Sequence, residues 1–169
     1  MDWFMDLDGT MIGYSTPRGV RPTINEKLID QLMEPGDRVV IVTNQGGIPY
    51  SFMGRNQMPT PQDFVDRVAA LAEFLASREI AIKAVYVCVY HPYAEEQAIK
   101  QAANGIRDLT LGKLPRFVIF YGANARKPSG MMLRLCRADR YFGDSDEDMM
   151  AALDAGVPFT RVERFTGGE

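Results

Sequence analysis

Two carboxylates stand two residues apart in Asp6-Leu7-Asp8-Gly9-Thr10, directly after the apolar run Trp3-Phe4-Met5. A strand ending this way carries both acids to its carboxyl edge, where open α/β sheets place their ligands. Acids crowded there repel unless a cation or a shared proton relieves them. Mg²⁺ is the natural relief, a hard cation that takes oxygen ligands and is usually completed by substrate phosphate. Taken alone, D-x-D-G-T reads more readily as a turn with two solvated acids.

Three further segments change that reading. Arg38–Thr43 is a buried-strand pattern that ends in a hydroxyl and an amide, Thr43-Asn44-Gln45, followed by Gly46-Gly47. Arg126-Lys127-Pro128-Ser129-Gly130-Met131 places a cation just before a proline, where a helix can start. A lysine with a purely structural role is disfavoured there, because a cation opposes the helix dipole. Tyr141-Phe142-Gly143-Asp144-Ser145-Asp146-Glu147-Asp148 is a short strand ending in an acidic cluster.

This set, in this order, resembles the four motifs of the haloacid dehalogenase-like phosphohydrolases, across nearly the whole chain from Asp6 to about Phe165. One motif alone is common; four in order are specific. T-N-Q-G-G-I and R-K-P-x-G-M look like the branch holding histidinol-phosphate phosphatase, heptose bisphosphate phosphatase and the 3′-phosphatase domain of polynucleotide kinase/phosphatase. Ala155-Gly156-Val157-Pro158-Phe159, with Val162-Glu163-Arg164-Phe165 after it, is most similar to the polynucleotide phosphatase. The histidinol and heptose enzymes bind structural zinc through a Cys-x-His pair and a Cys-x-Cys before R-K-P. Here Cys88 and His91 lie near the first place and Ala123 and Ala125 at the second. Structural zinc wants four N or S ligands, so no zinc clip is expected; Cys88 and Cys136 read as core thiols and His91 as a loop histidine.

The resemblance implies an α/β fold, a Rossmann-like three-layer α/β/α sandwich with a mainly parallel sheet and no large cap domain. It also implies an Mg²⁺-dependent phosphatase. Asp6 would be the nucleophile, forming an aspartyl-phosphate that water releases. Asp8 would protonate the leaving oxygen and then take a proton from water, which requires its pKa to lie above that of Asp6. Mg²⁺ would be held by Asp6, the backbone carbonyl of Asp8 and Asp144, with Asp148 behind them or bridged by water. Thr43 and the Asn44 backbone N–H would bind phosphoryl oxygens, and Lys127 would neutralise developing charge and pair with Asp6. Arg126 is a substrate contact or a local cap. Relatives with G-I-x-R-G offer an arginine after the amide; this chain has Pro49-Tyr50 there and reaches Arg55 only later.

The favoured substrate is a nucleic-acid 3′-phosphate, DNA included, or a nucleotide-like monoester. Tyr50 or Phe52 would stack on a base and Arg55 would meet a backbone phosphate. The alternatives are a small-metabolite phosphatase, acting on a sugar or amino-alcohol phosphate, and a non-catalytic phosphate-binding or assembly module. No kinase P-loop is present, so any kinase partner would be a separate chain.

Composition bounds these readings. The 169 residues suit one domain spanning 1–169. A net charge of −3 leaves no basic footprint for nonspecific nucleic-acid binding. Two cysteines fit a reducing cytoplasm rather than a disulfide scaffold. No apolar run approaches the ~20 residues of a membrane span, and neither a secretion signal nor an N-terminal domain ahead of the first strand is expected.

The elements that must position these residues alternate as strands and helices, which argues for a parallel sheet. Strands are predicted at Asp2–Leu7, up to Thr43, Ile82–Tyr90, Arg140–Gly143 and Pro158–Val162. Helices are predicted from a Thr23–Glu26 capping box, from Thr60, over Pro128–Arg137 and over Glu147–Ala155. Pro92–Asn124 reads as an insertion with a helix over Glu95–Leu109 and an edge strand over Phe117–Tyr121. Gln45–Pro59 reads either as a self-packed surface loop or as a substrate-contacting flap. Met11–Pro22 is too short to be a cap domain.

Overall fold

Six strands form one all-parallel sheet in the order β4-β3-β2-β1-β5-β6 in the computed structural model, which describes residues 1–14 and 17–167. The strands are β1 (Asp2–Met5), β2 (Arg38–Asn44), β3 (Ala81–Cys88), β4 (Arg116–Phe120), β5 (Tyr141–Gly143) and β6 (Phe159–Arg161). The helices are α1 (Glu26–Leu32), α2 (Pro61–Ser77), α3 (Glu96–Thr110), α4 (Met131–Leu135) and α5 (Asp146–Ala155).

Period-two alternation sorts the strand side chains into two cores. Trp3, Met5, Val39, Ile41, Val85 and Val87 face one side and pack on Ile29 of α1, Phe64, Val68 and Leu71 of α2, and Ile99 and Ile106 of α3. Phe4, Val40, Val42, Ala84 and Tyr86 face the other and pack on Met132 and Leu133 of α4 and Ala151 and Ala152 of α5. Helices therefore cover both faces, the three-layer arrangement that all-parallel sheets require.

The chain winds outward from β1 in one direction through β2, β3 and β4, then returns to the other side of β1 with β5 and β6. Strand order reverses between β1 and β5, so a crevice opens above their carboxyl ends. The two strands meet briefly, with Met5 opposite Phe142 and the Asp6 N–H donating to the Phe142 carbonyl at 2.9 Å.

Several boundaries differ from expectation, each for a local reason. Helix α1 has no Thr23 capping box; its N-cap is Asn25, whose side chain accepts from the Leu28 N–H. The Asn25 side-chain amide also donates to the Thr10 carbonyl at 2.8 Å and its N–H to the Met11 carbonyl at 2.9 Å. These bonds to the loop after β1 select Asn25 as the cap, and Ile24 pairs with Ile12 instead of joining the helix. Helix α4 starts at Met131, so Lys127 precedes it by a turn and is not at a helix start. Two caps follow the short-range rule: Thr60 with Asp63 opens α2, and Ser145 with Asp148 opens α5.

Segment 92–124 supplies α3 and the edge strand β4. Within 45–59, a 3₁₀ turn spans Ile48–Phe52 and buries Ile48 and Pro49. Gly105 of α3 lies against Pro61 and Phe52, so this loop packs on the α3 layer. Residues 15 and 16 of the short Met11–Pro22 segment lie outside the described residues.

Candidate active site

The crevice above β1 and β5 is a cleft of about 600 Å³ lined by Asp6, Asp8, Thr43, Asn44, Gln45, Lys127, Asp144, Asp148 and Arg164, among others. Asp6 follows β1 and Asp144 follows β5, so two acids distant in sequence meet at adjacent strand ends. Asp148 arrives on the first turn of α5. One oxygen from each of Asp6, Asp144 and Asp148 lies within 4.8 Å of the others. Two glycines permit this approach. Gly9 has a φ of +79° and a Cβ there would run into Asp144 Oδ2; a Cβ at Gly143 would run into the Asp148 carboxylate. Such an oxygen-only donor set fits a hard divalent cation.

Within this acidic group Asp6 and Asp148 share one cation. Lys127, only 4% exposed, donates from Nζ to Asp6 Oδ1 at 3.0 Å, Asp148 Oδ1 at 2.6 Å, the Tyr141 hydroxyl oxygen at 2.8 Å and the Val42 carbonyl at 3.1 Å. Asn44 sets its place: the Asn44 amide donates to the Lys127 carbonyl and its Oδ1 accepts from the Lys127 N–H, at 3.1 and 3.0 Å. Burial alone would push the Lys127 ammonium down, but Asp6 and Asp148 outweigh it and hold it above the ordinary lysine range. Burial pushes Tyr141 well up, and the carboxylates of Asp6 and Asp148 add to this, so it stays a phenol. Asp148 is opposite in sign. Burial would raise it, but Lys127, Ser145 and Tyr141 together hold it below the usual carboxylate range.

Asp6 is pushed well above that range by burial, against the pull of Lys127 and with Asp148 and Asp8 adding to it. Its Oδ2 has no hydrogen-bond partner among the described residues.

Asp8 sits on the opposite wall. Gln45 Nε2 donates to Asp8 Oδ2 at 2.7 Å and to Thr43 Oγ1 at 3.0 Å. Arg67 of α2 reaches Asp8 Oδ1 at 3.5 Å and donates to Gln45 Oε1 at 3.1 Å. Burial raises the Asp8 carboxyl, opposed by Arg67 and Gln45. Burial thus raises both acids of the pair. Positive charge brought to Asp6 would lower that carboxyl, as a proton-donating Asp8 requires.

The structure does not bring every expected residue to the cleft. Arg126 donates to the Tyr90 carbonyl at 2.8 Å, a strut between the strand-end loops rather than a group lining the cleft. Arg55 is exposed and stacks over Tyr50 with its guanidinium 5.0 Å from the ring. Tyr50 bonds to His91 Nδ1 at 2.7 Å, which fixes it away from the cleft. Phe52 lies against α3. Cys88 is buried with its thiol on the Gly122 carbonyl, and Cys136 is half-buried.

Three participants were not expected as site residues. Gln45, Arg67 and Arg164 contact the acids from separate elements; Arg164 donates to Asp144 Oδ2 at 2.7 Å and lies over the Tyr14 ring. Gln45 stands within T-N-Q-G-G-I and Arg164 within Val162-Glu163-Arg164-Phe165, and those positions are the signals available. Arg67 is hidden in the helical periodicity of α2.

No family model matches the chain. A D-glycero-β-D-manno-heptose-1,7-bisphosphate 7-phosphatase of Escherichia coli K12 is 27% identical over 172 aligned positions, covering 91% of this chain and 74% of the relative. A D-glycero-D-manno-heptose-1,7-bisphosphate 7-phosphatase of Chlorobaculum tepidum is 35% identical over 96 positions, covering 53% and 45%. A crystal structure of a D,D-heptose 1,7-bisphosphate phosphatase from B. bronchiseptica, complexed with magnesium and phosphate, shares the fold with a TM-score of 0.64 at 18% identity, covering 98% of this chain and 82% of that one. These likenesses support the resemblance to the haloacid dehalogenase-like phosphohydrolases. The relatives are heptose bisphosphate phosphatases, one of the groups in the branch that T-N-Q-G-G-I and R-K-P-x-G-M resemble. The relatives stand on the sugar-phosphate side of that branch, not on the polynucleotide side that the Gly156-Val157-Pro158-Phe159 segment suggested.

Proposed function

We propose that the chain is a Mg²⁺-dependent phosphomonoesterase of a small phosphorylated sugar, acting through an aspartyl-phosphate on Asp6. The observation that carries the chemistry is the buried group of Asp6, Asp144, Asp148 and Lys127 at the strand-order reversal, with the uncommitted Oδ2 of Asp6 beside it. Relatives that are heptose bisphosphate phosphatases support the substrate class.

Asp6 Oδ2 attacks phosphorus as the bond to the leaving oxygen breaks. Asp8 hands that oxygen its proton, then takes one from the water that hydrolyses the acyl-phosphate. Lys127, fixed on Oδ1, directs Oδ2 outward and offsets charge on the phosphoryl group. Thr43 Oγ1 and the Asn44 N–H, from residues that line the cleft, would bind the equatorial oxygens, while the Asn44 side chain is spent on holding Lys127. Asp6, Asp144 and the Asp8 carbonyl would hold Mg²⁺, which supplies positive charge to the transferring phosphoryl and lowers the Asp6 carboxyl. Asp148, with both oxygens taken by Lys127, Tyr141 and Ser145, serves chiefly to orient the lysine.

The nucleic-acid reading loses its supports. Arg55 and Tyr50 hold each other outside the cleft, and Arg126 is tied to a carbonyl. A separate kinase partner was tied to that reading and goes with it. Among the described residues no helix is long and apolar enough to cross a membrane.

The test is a screen of the pure protein with Mg²⁺ against sugar phosphates, heptose 1,7-bisphosphate included, nucleotides and 3′-phosphorylated oligonucleotides, each repeated with chelator. Sugar phosphates should be hydrolysed with the highest kcat/KM and chelation should abolish turnover. A higher kcat/KM on a 3′-phosphorylated oligonucleotide would restore the polynucleotide assignment, and turnover of none would favour a binding module.

A further inference from the structure

Arg67 is hard to explain as a structural residue. It lies on α2, far in sequence from the motifs, and is 8% exposed. Its Nε is buried with no hydrogen-bond partner. Its acceptors among the described residues are Asp8 Oδ1 and Gln45 Oε1, and its one ion pair is to Asp8 at 3.5 Å. A buried guanidinium with an unsatisfied donor and one loose ion pair is poorly compensated, and an apolar residue would serve the core as well. What the arginine does supply is a planar fork. One arm meets Asp8, the other meets Gln45, and the amide of Gln45 returns to the second oxygen of Asp8 at 2.7 Å. The three side chains close a ring in which each Asp8 oxygen has its own donor. The same Gln45 amide touches Thr43 Oγ1 at 3.0 Å, so the ring also ties Asp8 to the phosphoryl-binding hydroxyl.

We propose that Arg67, acting through Gln45, is a positioning residue that holds the Asp8 carboxyl in the one orientation from which it can protonate the leaving oxygen; this rests on the phosphatase reading above. Arg67 touches no reacting atom. The proton still passes from Asp8 to the departing oxygen as the P–O bond breaks and is recovered from water in the second step. Arg67 therefore matters where that proton matters, on esters with poor leaving groups. An activated aryl ester departs as a stable phenolate and depends on it little.

The experiment compares a sugar phosphate with p-nitrophenyl phosphate, both with Mg²⁺, in wild type, Arg67→Met, Asp8→Asn and the double variant. Arg67→Met should lower kcat on the sugar phosphate by roughly 10²-fold, the scale of a small misplacement of a catalytic group. Its loss on the aryl ester should stay below about tenfold, since aryl leaving groups need little acid assistance. In the Asp8→Asn background the same change should cost little more on the sugar phosphate. Equal losses on the two esters, no loss on either, or full additivity with Asp8→Asn would overturn the positioning role. Wild-type hydrolysis of neither ester would overturn the phosphatase reading, and the proposal with it. Thermal melting checks folding. If Arg67→Met fails to fold, Arg67→Lys keeps the charge, loses the fork, and should give the same unequal losses.

Discussion

Strand β1 begins on one aspartate, Asp2, and is followed directly by another, Asp6, and the two live in different worlds. Asp2, at the amino end, is met by Arg38 at 2.9 Å and Lys83 at 3.1 Å. Both cations are about half exposed. Burial alone would raise its carboxyl, but the bonds from Lys83 and Arg38 win and hold it below the usual range. Asp6, at the carboxyl end, also has a cation within 3.0 Å, yet its carboxyl is driven well up. The difference lies in the surroundings. At the amino end water screens one acid between two bases. At the carboxyl end one buried base is shared with Asp148 while Asp144 stands within reach. The first arrangement is complete; the second calls for another positive charge, as a cation or phosphate site should.

Removing the acid at the buried end should have the largest effect. Asp6→Asn cannot form an acyl-phosphate, so kcat should fall by about 10⁴-fold or more, the scale of nucleophile deletions, with melting temperature kept or raised because one of three clustered acids is gone. Turnover within tenfold of wild type would remove Asp6 as nucleophile and with it the functional half of the comparison.

Removing the base comes next. Lys127→Met leaves Asp6 and Asp148 buried without a cation, and breaking a buried pair this way costs about 3–5 kcal/mol. Denaturant unfolding should show that loss at high and low ionic strength alike, because the site is shielded from salt. A change under about 1 kcal/mol would mean the network is as slack as a surface pair.

The smallest effect belongs to the exposed end. Asp2→Asn should cost less than about 1 kcal/mol at pH 7 and leave kcat untouched. The sign follows from its depressed carboxyl. That stability is present above the unfolded pKa of about 3.9 and is lost as pH falls through the lower folded value. Wild type and variant should therefore converge in acid and in high salt. A gap that persists in acid would show that Asp2 acts through packing rather than charge.

The sequence alone determined the architecture and the acidic motifs. The apolar run Val39–Val42, the helix start at Thr60 and the glycine at the end of α5 act over a few residues, so they are legible one segment at a time. So was the placement of Asp6, Asp8 and Asp144 at strand ends. Where a local rule had a tertiary competitor it failed. Asn25 capped α1 because the loop after β1 held it, and Tyr50 turned from the cleft because His91 was there to bond it. The pairing of Lys127 with Asp6 was implied by the resemblance, but the other partners of the acids, Gln45, Arg67 and Arg164, were decided by the tertiary structure. Lys127 is 121 residues from Asp6 and Arg67 is 59 from Asp8. Only the packing of α2 on one face and the α4–α5 side on the other brings them in. Burial, which turns one aspartate into a solvated ion and another into a strained acid on the same strand, is a property of the fold around a residue and has no local signature.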